Sequence, residues 1–247
     1  YSFLLACLLH DIGHAPFSHT CENLFSYKEK INNKNSKINK ELLAEIKSHL
    51  DDPAYHVFEK DYFSLIMKNP PAPHEIMSSI ITCRKFGDYN KFFESENINS
   101  LNLDLIVRSI IGCCYSYKRT DDEDKRLELG IKNCLIRLLN SSTVDVDKLD
   151  YIARDTQMSG YDSIVLDNKR LLDNVCIVDN DGIYYPAFGK GALSVLNNVV
   201  IAKNSQAKWI INHPVVIYEA YLLCKAIGIS LANSGLRNTC LLYTSDA

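Results

Sequence analysis

His10 and Asp11 put an imidazole and a carboxylate side by side at the end of an apolar run. They lie within Leu8-Leu9-His10-Asp11-Ile12-Gly13-His14-Ala15-Pro16-Phe17-Ser18-His19. Adjacent nitrogen and oxygen donors of this kind suit a hydrolytic metal ion. Much later in the chain Asp147, Tyr151 and Asp155 recur at a spacing of four, so on a helix they share one face while Leu149, Ile152 and Ala153 turn toward a core. A metal that activates water takes ligands from separate helices, which makes Asp147 a candidate partner for His10 and Asp11. Asp150 and Arg154 read as an i,i+4 pair that stabilises the helix by a few tenths of a kcal/mol, about 0.3.

These groups need helices to position them. Leu and Ile recur at three- and four-residue spacing and only ten Gly and seven Pro interrupt the 247 residues, which predicts an all-α fold. Ser2 to about Gly13 reads as a helix broken by Gly13 and Pro16, leaving His10 and Asp11 at its end. Further helices are expected over about Ile38–Leu50, His74–Lys85 with Pro73 as its start, Leu103–Tyr117, Arg126–Leu139 and Val146–Gln157. Two long ones, about Lys190–Asn212 and Pro214–Ala232, follow. One short β-hairpin near 175–185 is expected around Asp179-Asn180-Asp181-Gly182.

A hydrophobic content of 47% supports a real core, and a net charge of −3 gives no global reason to expect nucleic-acid or membrane-surface binding. The Lys- and Asn-rich stretch from Ser26 to Glu41 lacks interleaved aromatics and reads as a solvated loop. Nine Cys without a CxxC pair suggest reduced, mostly buried thiols, not a disulfide framework or zinc knuckle. No apolar run reads as reaching the about 18 residues that span a bilayer, so no membrane partner and a cytoplasmic location are expected, or a nuclear one in a eukaryote. Trp209, Ile210, Ile211, Val215 and Val216 read as core, and His49 and His56 as structural.

Two extended motifs carry a family resemblance. His10-Asp11-Ile12-Gly13-His14-Ala15-Pro16-Phe17-Ser18-His19 is similar to HD-x-GH-x-PFSH, and Asp145-Val146-Asp147-Lys148-Leu149-Asp150-Tyr151-Ile152-Ala153-Arg154-Asp155 to DVDK-x-DY-x-x-RD. Both signatures belong to the HD-domain metal-dependent phosphohydrolases, specifically the dNTP triphosphohydrolase branch that includes bacterial dGTPases and the sterile-alpha-motif HD protein. The resemblance implies an HD-domain helical bundle over residues 1–239. The last eight residues, 240–247, instead resemble translated adapter sequence from a sequencing library.

The resemblance also implies roles. It places His10, Asp11 and Asp147 around a divalent ion (Mn, Fe, Mg or Zn), with a fourth ligand, a His, on a helix that would precede Tyr1. His19, Glu22 and His74 become the acid/base group, Glu22 orienting a His at a position where some members carry Asp. His14, Lys148, Tyr151, Asp155 and Lys203 become contacts to a deoxynucleoside triphosphate, with Lys203 standing where the family has Arg. A homo-oligomer is commonly formed in the branch. The implied reaction is metal-dependent hydrolysis of a dNTP to deoxynucleoside and triphosphate. Two alternatives remain open: an HD nucleotidase or phosphodiesterase acting on mono- or cyclic nucleotides, and a non-catalytic nucleotide-binding protein.

Overall fold

The computed structural model describes residues 1–25, 32–98, 101–117, 122–141, 144–160 and 166–233. The 240–247 tail and residues 26–31 of the basic stretch, including Lys28 and Lys30, lie outside the described residues. The described chain is helical apart from one hairpin, as the periodicity predicts. Its residues divide into two compact units. The first runs from Tyr1 to Tyr115 and takes up the chain again from Cys224; the second is Ser116–Leu223.

The first unit contains α1 (Ser2–Leu9), α2 (Ser18–Phe25), α3 (Lys37–Lys47), α4 (Asp52–Lys68), α5 (Pro73–Ser95) and α6 (Leu103–Ile111). Helix α6 is its centre: every residue from Leu105 to Ile111 is buried, and α1 and α5 both pack against it. Helix α5 contributes Ile76, Met77, Ile80 and Cys83, and α3, packed on it, contributes Ile38, Leu42 and Ile46. Each such side chain fully buried stabilises the fold by about 1.5–3 kcal/mol before the entropy cost of ordering it.

Helix α4 was not expected from the sequence. Its start is nonetheless a local signal, because the Asp51 side chain accepts the Ala54 N–H at 2.9 Å and Pro53 occupies the first turn. Tyr55, Phe58, Tyr62 and Ile66 then follow at helical spacing and are buried. Helix α5 begins at Pro73 as expected but runs to Ser95, ten residues farther than Lys85. Helix α6 stops at Ile111 because Gly112 takes a left-handed backbone (φ 69°), which closes the helix well before Tyr117.

A fully buried guanidinium, Arg108, sits inside this unit. Its Nε donates to Asp104 Oδ1 at 2.8 Å, and its Nη1 donates to Asp61 Oδ2 at 3.1 Å and to the Cys113 carbonyl at 3.4 Å. The rings of Tyr115 and Phe58 cover it at 4.1 and 5.1 Å.

The second unit contains α7 (Glu123–Leu139), α8 (Val146–Ser159), α9 (Asn168–Leu172), β1 (Val175–Asn180), β2 (Ile183–Phe188) and α10 (Leu193–Gln206). The strands pair antiparallel from Val175↔Phe188 to Asn180↔Ile183 around Asp181-Gly182, whose φ values of 52° and 76° suit a two-residue hairpin turn. Helix α7 lies on β2, where Arg137 Nη1 donates to the Tyr184 carbonyl at 2.6 Å. Gly130 makes this close approach possible, since a Cβ there would come within 2.3 Å of the Tyr184 ring. Ile152 of α8 packs with Val199 and Ala202 of α10, and Gln206 Nε2 donates to the Ile152 carbonyl at 2.9 Å.

Ala153 is exposed, because α8 buries only Ile152 and leaves the next position turned outward. The single helix expected over 190–212 is divided into a 3-10 turn (Lys190–Ala192), α10 and a π-helical segment (Ala207–Ile211). Trp209, Ile211, Val215 and Val216, read as core, are exposed, since among the described residues nothing packs over the faces that carry them. Finally, α11 (Pro214–Asn233), whose residues divide between the units at Cys224, is 20 residues long with a mean hydropathy of 1.7 and no buried share. It is long and apolar enough to cross a membrane by length and composition, because Glu219 and Lys225 are too few to offset its apolar residues.

Candidate metal centre

Burial of Leu5, Ala6 and Leu9 fixes the rotation of α1, so the chain leaves the helix at His10 with the imidazole half-buried beside the exposed Asp11. His10 Nδ1 lies 2.8 Å from the Cys7 carbonyl. A carbonyl can only accept, so Nδ1 carries the proton and, in the neutral ring, Nε2 carries the lone pair. That Nε2 is 3.4 Å from Asp11 Oδ1. A lone pair facing a carboxylate oxygen is an arrangement that a divalent cation stabilises, and a backbone carbonyl on the far ring nitrogen is the usual support of a ligating histidine. The donor set therefore fits a metal ion, with neutral nitrogen and anionic oxygen suited to Mn, Fe, Mg or Zn.

The loop after Asp11 is bound tightly to the start of α5. The Gly13 N–H donates to Ser78 Oγ at 2.9 Å, and the Ser78 hydroxyl donates to the His10 carbonyl at 2.6 Å. A Cβ on Gly13 would lie 2.3 Å from the Ser78 nitrogen and 2.5 Å from the His74 carbonyl oxygen. Only glycine fits this approach. Ser78 was missed by the sequence reading; its signal was its position one helical turn after His74, on the same face of α5.

The loop then turns through Phe17 and Ser18, both left-handed (φ 66° and 49°), and enters α2. This folds three imidazoles together. His14 stacks on His74 with ring centroids 3.9 Å apart, and His19 meets them edge-on at 4.6 and 5.1 Å. One nitrogen from each of His14, His19 and His74 lies within 4.8 Å of the others, so this trio is a second group able to hold a metal ion. Glu22 joins it: Oε1 accepts from His74 Nδ1 at 2.7 Å, and Oε2 lies 3.4 Å from His19 Nδ1.

Electrostatics separate these groups. Burial, then the charge of His74, pushes His14 below the ordinary histidine value against the opposing pull of Asp11, so His14 is neutral at neutral pH. Burial alone would raise the Glu22 carboxyl. The hydrogen bond and charge of His74, followed by those of His19, outweigh it and hold Glu22 below the usual carboxylate range.

The second unit presents the other motif. Asp145 caps α8 by accepting the Lys148 N–H at 2.8 Å, and Asp147, Tyr151 and Asp155 follow on one face. Burial raises the Tyr151 hydroxyl, and the charges of Asp147, Asp145 and Asp155 raise it further, as expected of an acidic stripe. Asp150 and Arg154 form the expected ion pair. The Lys148 ammonium is bonded to Asp145 and, at 2.7 Å, to the Ser141 carbonyl. Lys203 is half-buried in the last turn of α10.

No family model matches the chain. It is similar to an uncharacterized protein of Mycoplasma genitalium, 26% identical over 81% of the chain and 35% of that protein. A homolog of that protein in Mycoplasma pneumoniae is 27% identical over the same shares. A protein of Acanthamoeba polyphaga mimivirus, whose name provisionally gives it an HD domain, is 29% identical over 74% of the chain and 28% of its own length. The chain thus spans about a third of the length of the curated relatives it matches.

Proposed function

We propose that this chain carries the catalytic region of an HD-type phosphohydrolase that cleaves deoxynucleoside triphosphates to deoxynucleoside and triphosphate. One observation carries the reading most: His10, its tautomer set by Cys7, presents Nε2 to Asp11 inside an extended HD-x-GH-x-PFSH motif. The name of the mimivirus relative supports the HD relationship. The dNTP substrate rests on the second motif, from Asp145 to Asp155.

His10 and Asp11 hold the ion, and by motif Asp147 is the third ligand. When bound, a divalent cation supplies positive charge at the phosphoryl oxygens and acidifies water for attack on phosphorus. Neutral His14 donates or accepts a hydrogen bond at a phosphate without adding charge. Glu22 engages His74 Nδ1 at 2.7 Å, which leaves the other ring nitrogen to deliver a proton to the departing 5′-oxygen, a role worth about 10²–10⁴ in rate. His19, with its side chain 70% exposed, is the second acid/base group. Tyr151 and Asp155 bind the sugar and phosphates, with Lys203 supplying charge.

A second reading has one observation in its favour. The Lys148 ammonium is committed to Asp145 and Ser141, which suits a nucleotidase or phosphodiesterase without a triphosphate grip. Incubating the intact protein with Mn²⁺ and dGTP separates the two. Release of tripolyphosphate and deoxyguanosine supports the first reading. Orthophosphate from a deoxynucleoside monophosphate, with dNTPs untouched, overturns it.

A further inference from the structure

We propose that Cys21 and Cys224 are a peroxide-sensitive thiol pair that closes to a reversible disulfide between α2 and α11. Their sulfurs lie 3.4 Å apart although 203 residues separate them in the chain. A disulfide measures about 2.05 Å, so closure draws the two sulfurs together by about 1.3 Å. The Cys224 thiol also donates to the Thr20 carbonyl at 2.9 Å, which keeps it directed at the turn of α2 that carries Cys21.

The two thiols divide the chemistry. Cys21 is fully buried and so is shielded from solvent oxidants. Cys224 is half-buried and is the point of entry. Its sulfur attacks one oxygen of hydrogen peroxide, the O–O bond breaks, and the products are a sulfenic acid on Cys224 and one water. The Cys21 sulfur then attacks the Cys224 sulfur. The hydroxyl leaves as a second water with the Cys21 proton, and the S–S bond forms. Two thiols are oxidised, one peroxide is reduced, and an added dithiol reverses the step.

Cys83 and Cys176 differ from this pair. Cys83 is buried and raised to about 12 by that burial. Cys176 is exposed on β1, with its sulfur 3.5 Å from the Ala187 carbonyl. Cys176 therefore serves as an internal control for the dose of oxidant. The bond would tie α11, none of whose residues is fully buried, to the helix that carries Glu22.

The test treats the full chain with hydrogen peroxide, alkylates it after denaturation and maps the peptides by mass spectrometry. A peptide linking Cys21 to Cys224, short of two hydrogens and released by dithiothreitol, is the expected result. In Cys224→Ser, whose position is partly exposed, that peptide is absent and Cys21 becomes fully alkylated. The proposal is overturned if Cys176 is oxidised while Cys21 and Cys224 both remain alkylatable, or if Cys224 advances to sulfinic acid with no linked peptide. None of these readings depends on what the protein hydrolyses.

Discussion

Two polar clusters lie within the first unit, and they are built on opposite principles. Around Arg108 the charges are enclosed: one guanidinium, the carboxylates of Asp61 and Asp104, a carbonyl and two rings, with the arginine side chain wholly out of solvent. Around His74 four imidazoles share two carboxylates, His19 and Asp11 reach solvent, and donor atoms face one another. The first arrangement turns Nε and Nη1 of Arg108 onto its own carboxylates and links α4 to α6, while the buried Nη2 has no hydrogen-bond partner among the described residues. The second gathers nitrogen and oxygen atoms able to ligate a metal ion, with His19 and Asp11 reaching solvent. A polar cluster in a helical core is thus read by whether it is closed to solvent or open to it.

Asp11→Ala should give the largest functional loss, with turnover at the metal-free background and bound metal lost by elemental analysis. Because Asp11 is exposed, its unfolding free energy should stay within about 0.5 kcal/mol of the parent in a urea titration. Arg108→Ala should do the reverse, costing about 3–5 kcal/mol by leaving Asp61 and Asp104 without their buried counter-charge. Retention of stability in that variant would erase the contrast between the clusters. Gly13→Ala joins the two effects, since a Cβ within 2.3–2.8 Å of α5 backbone must force the loop away. About 1–3 kcal/mol of stability should be lost, and with it the stacking of His14 on His74.

Glu22→Gln sharpens the comparison. It removes the charge that orients His74 and His19, and turnover should fall about 10–100-fold with little change in metal content. The smallest effect is on acid stability. Glu22 has a folded pKa below its ordinary 4.5, so the unfolded chain binds the proton more readily and the stabilisation is present above 4.5 and lost as pH falls through the folded value. Metal-free parent and Glu22→Gln should therefore differ in melting temperature above pH 4.5 and converge as pH falls through the folded Glu22 value.

Much of this was legible in the residues. The helix-breaking Gly13 and Pro16 put His10 and Asp11 at a helix end, and the four-residue spacing put Asp147, Tyr151 and Asp155 on one face. Local signals of that kind survive because they depend on a few neighbouring residues. Helix α4 also had such a signal, in Asp51 and Pro53, but Asp61 in its middle resembles a surface residue until Arg108, 47 positions away, supplies its partner. The meeting of Glu22 with His74 across 52 positions is likewise a tertiary fact. Exposure of Trp209 and the α11 face misled for a different reason: apolar composition reports a tendency to be covered, not the presence of a cover.

The turn at Phe17 and Ser18 carries one more implication. Two successive side-chain-bearing residues in the left-handed region cost about 1–2 kcal/mol each, so the loop that gathers the imidazoles is held against its own preference. Replacing Phe17 with glycine would relieve that strain while loosening the spacing between His14 and His19. At this one position, selection for a tougher protein and selection for a faster one would pull in opposite directions.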